Sequence, residues 1–357
     1  MAESGGHWST LAEAQKLTTS TFIPGVIEQD IKRNNPLDRF PVAQAANSGK
    51  SIKFLRELTT TEDSVAGVDV GEQLTWSEDV TYTEVEKELK RVYIQRKLDQ
   101  FVRDIYGNMN NYRAQVLLEM EKGLRRKIGD KIIYGDLTYS SGNKEWDGLH
   151  AIAAEHGATT GTGTGHENLN IDEGNAGLQL ENMRKMSDAG KAGWDEIWMP
   201  FTIAKWIDAA YQEKGFAGLA YNAAGSMGMI AFGYNEAGKR MAYWDALPII
   251  RTDFLVAENA DTGTGASSDA RAKHSTGTAN YSVFFLKFGN VMERQPGATF
   301  AYGGTEGAGD LYKLVLFPNL EDYDAEGMRA ITYGAVLHGS TFSVGRIWDV
   351  YDAAILV

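Results

Sequence analysis

The stretch LDQFVRDIYGNMNNYRAQVLLEMEKGLRRKIGDKIIY, residues 98–134, decides how the rest of the chain is read. Phe101, Ile105, Met109, Tyr112, Val116, Met120, Leu124, Ile128 and Ile132 recur after Leu98 at steps of three or four. That spacing predicts one amphipathic helix from about Gln95 to about Tyr134. At 1.5 Å per residue such a helix runs roughly 60 Å, longer than a small domain is wide, so it is expected to brace the molecule rather than wall a pocket.

On its N-terminal side, residues Met1 to about Lys50 carry short apolar spots (Phe22, Ile23, Val26, Ile27, Ile31, Phe40) without a sustained period, and are expected to form an extended arm that has no core of its own and is ordered only by lying across other copies. Ser51 to Leu89 alternates at Ile52/Phe54, Leu74/Trp76 and Val80/Tyr82, with Gly67 and Gly71 between the halves, which predicts a long β-hairpin. A lone two-stranded ribbon is marginal in water, so Trp76, Tyr82 and Val85 need a surface, and another molecule is expected to supply it.

On the C-terminal side, the Thr/Gly tracts at 158–165 and 261–278 predict surface loops. Between them lies a compact α+β lobe. A helix carrying Leu178, Met183 and Met186 is followed by a strand at Ile197 to Met199, a helix opened by Pro200, and strands at 229–232, 241–244 and 248–250. The last quarter is β-rich at 282–288, 311–317, 329–337 and 342–350, and part of it is expected to return beside the long helix.

The 357 residues carry a net charge of −13, which argues against a broad basic face for gripping nucleic acid. With no cysteine, disulfides and thiolate chemistry are excluded. Met1 to Lys16 holds no apolar run of signal length and no stretch approaches a membrane span, so a soluble protein made in the cytoplasm is expected.

Catalytic constellations are weak. Ser48-Gly49-Lys50-Ser51 resembles the end of a phosphate loop, but Gln44 stands where the first glycine belongs and a strand follows where a helix is needed. His150 and His156 are six apart and His166-Glu167 sits in a glycine-rich tract, so exposed loop histidines are expected rather than a metal site. The carboxylates Glu72/Glu78 and Asp322/Asp324 read as solvated charge. Arg125, Arg126, Lys127 and Lys131 read chiefly as partners of the helix dipole, with a polyanion face as the sharper alternative. Trp194, Trp198, Trp206, Met183 and Met186 read as core.

Taken together, several features resemble the major capsid protein of tailed bacteriophages, with the Hong Kong 97-type fold shared with encapsulins. They are the arm, hairpin and long helix, Gly148-Leu149 before a compact lobe, Ile197-Trp198-Met199-Pro200 running into Phe201-Thr202-Ile203-Ala204-Lys205-Trp206, and Leu247-Pro248-Ile249 followed by Thr252-Asp253. The resemblance implies an N-terminal arm over 1–50, an E-loop hairpin over 51–89, a peripheral domain with its spine helix over 90–148, an axial domain over 149–280, and returning, mostly peripheral strands over 281–357.

It further implies a structural protein and not an enzyme, self-assembling through pentamers and hexamers into an icosahedral head around double-stranded DNA held without sequence-specific contacts. No catalytic, cofactor-binding or metal residues are expected, and no membrane partner. Scaffolding and portal proteins are implied partners, as in some members is a decoration protein, and the virion is the expected location after synthesis in the host cytoplasm. Scaffolding is expected from a separate protein, because the residues before the hairpin are too few and too aperiodic for a coiled coil. Lys53, Lys87 and Lys90 could nominally form the isopeptide crosslinks of some members, though edge lysines ordinarily just solubilise. The rival readings are an encapsulin-like compartment and, from another class, a hydrolase with a hairpin insertion.

Overall fold

The computed structural model describes residues 28–45, 50–57, 65, 67–73, 76, 82–101, 112–137, 144–154, 169–213, 230–234, 238, 240–258, 280–303, 311–321 and 324–355. Both Thr/Gly tracts and much of the hairpin tip lie outside the described residues.

The predicted long helix starts too early. Residues 95–99 finish a strand, β4 (Lys90–Asp99), which pairs antiparallel along its own whole length with a long late strand, β13 (Ala325–His338), from Gly334 to Ala325. Helical geometry begins at Gln100, and the described helix α1 is Tyr112–Tyr134, 23 residues or about 35 Å. The physical reason is a coincidence of periods: Leu98 belongs to the helical stripe by spacing, but it also continues the every-second series Val92, Ile94. Pairing with β13 settles the ambiguity for the strand, and Leu98 is buried there.

Around β13 a five-stranded sheet forms. Its other edge pairs with β12 (Lys313–Phe317) and then with β11 (Ala298–Tyr302), and β1 (Val42–Gln44) joins β11 in parallel. Helix α1 lies on one face, with Met120, Leu124, Ile128 and Ile132 at 0–2% exposure against Leu98, Met328, Ala330 and Phe300. Gly334 is demanded by this packing, since any Cβ there would collide with the Phe300 ring.

A second sheet has seven strands: β5 (Asn170–Ala176), β14 (Val344–Val350), β10 (Tyr281–Leu286), β6 (Glu196–Pro200), β9 (Leu247–Thr252), β8 (Arg240–Trp244) and β7 (Ile230–Tyr234), in that spatial order. Of the four late β-rich stretches, 311–317 and 329–337 thus return beside α1, while 282–288 and 342–350 enter the other sheet. Both faces of this sheet are covered. Helices α3 (Leu180–Ala189) and α4 (Phe201–Glu213) pack Met183, Met186, Ile203 and Ile207 against Ile197, Met199, Val283 and Phe285. The alternate residues Trp198, Phe284 and Leu286 point the other way, into the core shared with α1. Double burial explains why Ile197-Trp198-Met199 and Val283–Leu286 are continuous apolar runs.

Between the sheets sits the short helix α2 (Leu149–Ala154). Gly148 donates its N–H to the carbonyl of Gly135 at 2.7 Å, and a Cβ there would strike the last carbonyls of α1. The Gly148-Leu149 step therefore exists to let the chain pass close to the end of the brace.

On β5 the fold buries one carboxyl that has no salt bridge among the described residues. Glu173 accepts the Gln179 N–H at 3.2 Å, yet burial pushes its pKa up to about 7 despite that bond and one from Asn182. A raised acid pKa means the native state holds its proton more tightly than the unfolded chain, so this group lowers stability progressively as pH rises from about 4.5 to about 7. Glu173→Gln is expected to raise stability at neutral pH by about 1 kcal/mol and to flatten that stretch of the stability curve, measured by urea unfolding at pH 4.5 and 7.5.

Candidate assembly surface

The base of the hairpin forms as expected and is held against the body. Strands β2 (Ser51–Glu57) and β3 (Tyr82–Glu88) pair antiparallel from Ser51/Glu88 to Glu57/Tyr82. Ile52 is buried in a small cluster with Ala45, Val291, Ala301, Ala335 and Leu337. Arg56 stacks over Phe54 and donates to the carbonyls of His338 and, at 3.0 Å, Gly339. Beyond this anchor apolar side chains stand in solvent: Trp76 is 99% exposed, Val70 102%, Val65 82% and Leu55 68%. Exposed apolar side chains of that kind mark a candidate interaction site.

The lysines on the ribbon are engaged with carboxylates of their own chain. Lys53 meets Glu84 and Glu86, Lys90 meets Glu88, and Lys87 meets Asp147 at 3.0 Å. Lys50, the nominal phosphate-loop lysine, also binds Glu88, whose pKa Lys50 and Lys90 together hold down at about 2. Ser51 opens a strand, as the objection to a phosphate loop requires.

The arm departs from expectation. Residues 28–45 do not wait for another copy to order them; they are strapped across this one. Leu37 and Phe40 enter the main core, with Phe40 edge-on to Trp198 at 6.1 Å, and β1 extends the five-stranded sheet. The basic cluster of α1 supplies the buckle, because Arg125 binds Asp38 and Arg126 binds both Glu28 and Asp30. Lys127 pairs with Asp130 and Lys131 with Glu145. These four cations therefore serve the arm and the helix end, and do not form an open polyanion face. At the other sheet Arg39 grips Glu196 at 2.6 Å, and Asp253 accepts the Arg33 N–H at 2.9 Å.

His150 is a second correction. It is fully buried on α2, with Nε2 3.8 Å from Glu258, in a charged cluster that joins α2 to β10 and β14. Arg346 Nη2 meets Glu258 Oε2 at 2.6 Å, Ser282 Oγ donates to Glu258 Oε1 at 2.6 Å, and Arg346 Nε donates to that same Oγ at 3.0 Å. Burial alone would raise the Glu258 pKa, but Arg346, His150 and Ser282 outweigh it and hold it at about 2. Sequence reading missed this cluster. Its one signal was an arginine inside the apolar run Val344-Gly345-Arg346-Ile347-Trp348.

Trp194, Trp198, Met183 and Met186 are buried core residues, and Trp206 is partly buried with its Nε1 donating to Asp352. Glu72 is exposed on the hairpin; His156, His166, Glu78 and Asp322 lie outside the described residues. Among the described residues no three His, Asp or Glu side chains are placed to hold a metal ion, and no helix is long and apolar enough to cross a membrane.

No family model matches the sequence, and no curated protein does. Solved structures match over the full length. The chain is similar to the SrpI encapsulin of Synechococcus elongatus PCC 7942, with 11% identity, TM-score 0.60, and 98% of this chain and 99% of that one covered. It is equally similar to the capsid of a native GTA particle, with 13% identity, TM-score 0.60, and coverage of 97% and 100%. A capsid chain of cyanophage A-1(L) matches at 10% identity and TM-score 0.61, with coverage of 96% and 99%. At such identities the likeness is one of fold: an α+β chain of the Hong Kong 97 type, matched over nearly its whole length.

Proposed function

We propose that this chain is the major subunit of an icosahedral phage head that encloses double-stranded DNA. The observation that carries the reading is the hairpin, anchored at Ile52 and Arg56 and exposing Trp76 and Val70 completely, on a fold shared end to end with shell-forming proteins. A monomer has no use for that surface. A shell repeats each heterologous contact around rings until the particle closes, and many modest contacts acting together make dissociation rare.

On this reading the five-stranded sheet with α1 is the peripheral domain and the seven-stranded sheet the axial domain, with β10 and β14 on the axial side. DNA is contained without base-specific contacts, in keeping with the net charge of −13 and with basic residues of α1 that already hold the arm. Scaffolding and portal proteins are expected partners, the virion is the expected location, and no step of chemistry is assigned to the chain.

The second reading, a compartment shell around a protein cargo, is favoured by the equally close match to an encapsulin. Electron microscopy and sedimentation of the expressed chain test both. Closed particles of megadalton mass are expected; a monomer or small oligomer at all concentrations overturns the shell reading, and purified native particles filled with protein instead of DNA decide for the compartment.

A further inference from the structure

Where β5 ends, the chain makes a turn that other segments hold in place. Gly174 and Asn175 have φ of +61° and +62°, and Asp172 Oδ1 accepts the Gly174 N–H at 2.8 Å. Just before β10, Asn280 donates to Asn175 Oδ1 at 3.0 Å. The C-terminal segment 351–355 crosses the same turn. There the Tyr351 N–H donates to the Ala176 carbonyl at 2.8 Å, and a Cβ on Gly177 would collide with the Ala354 carbonyl. Beyond the turn Gln179 opens α3, and its own side chain makes no capping bond.

Glu173 supplies that cap. It is 4% exposed, and its Oε1 accepts the Gln179 N–H at 3.2 Å, while Oε2 is buried with no hydrogen bond of normal geometry. The charges acting on it are Asp172 on its own strand and Lys185 on α3, and Lys185 is half exposed and paired with Glu181 at 2.9 Å. On β14 Asp349 is engaged by Asn280, and on the crossing segment Asp352 accepts from Lys205 and Trp206. Burial is the largest influence on the Glu173 carboxyl and favours its neutral form; the Gln179 N–H and Lys185 favour the charged form and do not overcome it. Gly174 and Asn175, next along the chain, are exposed, so a small movement of the turn carries the carboxyl to water.

We propose that Glu173 is a proton-operated latch: neutral, it keeps the turn, the start of α3 and the crossing C-terminal segment closed, and ionised, it opens them locally. The inference stands on the single chain and is independent of the shell reading. Ile355, 1% exposed in the core of the seven-stranded sheet, anchors the far end of the crossing segment. A closed carboxyl that titrates at about 7 and an open one at the ordinary 4.5 make opening about tenfold more favourable at pH 8 than at pH 6.

Amide hydrogen exchange of the full chain at pH 6 and pH 8, corrected for the intrinsic rate at each pH, tests this at two reporters, the N–H groups of Gln179 and Tyr351. Their protection is expected to fall about tenfold across that interval in the wild type and by less than about twofold in Glu173→Gln, whose amide oxygen can still accept the Gln179 N–H. Both reporters are expected to exchange faster than residues 283–286 of β10 and to ignore low urea, as a local opening requires. Unchanged protection at both reporters overturns the latch. Exchange at the rate and urea dependence of β10 also overturns it, because the turn would then open only with the whole sheet. A tenfold fall that persists in Glu173→Gln places the titration on another group and refutes the assignment. The comparison with β10 is made in the wild type, so it decides even if the variant misfolds.

Discussion

Replacing Arg346 by Met is expected to cost about 3–5 kcal/mol of folding stability, a large share of what a domain ordinarily possesses. The substitution preserves length and volume but leaves the Glu258 carboxylate buried at 1% exposure with its nearest cation gone. Ser282 and His150 remain, yet neither carries a permanent positive charge. The double variant Arg346→Met, Glu258→Gln is expected to recover most of the loss, because removing both charges removes the desolvation cost together with the attraction. Urea unfolding measures both. The wild-type pair also has an acid signature: a folded pKa held at about 2 contributes stability that is present above about 4.5 and lost as pH falls from there toward 2. Arg346→Met should lose that part of the acid dependence. A single variant as stable as wild type would mean that the cluster is incidental to the joint between α2 and the seven-stranded sheet.

Deleting Thr60 to Val70 is expected to abolish closed shells while leaving the body folded. The deletion removes Val65 and Val70 with the first half of the distal segment and spares the anchor, since Ile52, Arg56 and the β2–β3 pairing lie outside it. Sedimentation should show small species at concentrations where the intact chain gives particles, with the thermal transition of the dissociated protein shifted by no more than a few degrees. Shells of normal size and heat resistance from the deleted chain would remove the bracing role from the hairpin.

The order of elements was legible because it depends on local pattern. Alternation in Ile52/Phe54 marked the ribbon, the step of three or four through Met120 and Ile132 marked the helix, and the apolar run Ile197-Trp198-Met199 marked a strand. Where two patterns overlapped, local reading failed. Leu98 fits both a helix and a strand, and only the presence of β13, more than two hundred residues later, resolves it.

The arm was misread for a related reason. Its apolar spots are too sparse to build a core alone, which is true, but Leu37 and Phe40 need only fill gaps in a core built by others, and Asp30 and Asp38 need cations that sequence distance hides. Residues 28–45 therefore need no second molecule to bury Leu37 and Phe40. His150 likewise had no local mark of burial, since its surroundings come from Glu258, Ser282 and Arg346.

By itself the sequence determined which segments are ribbon, rod and sheet, that thiol chemistry is excluded, and that one ribbon carries more apolar surface than it can cover. The tertiary structure decided which charges meet. Periodicity records the environment a residue needs, within a few turns or strands of itself, whereas pairing depends on which distant segment arrives there. That is why Arg126 proved to be a clasp for Glu28 and Asp30, and why Arg91 and Lys313, equally basic and far apart in sequence, came to share an open face.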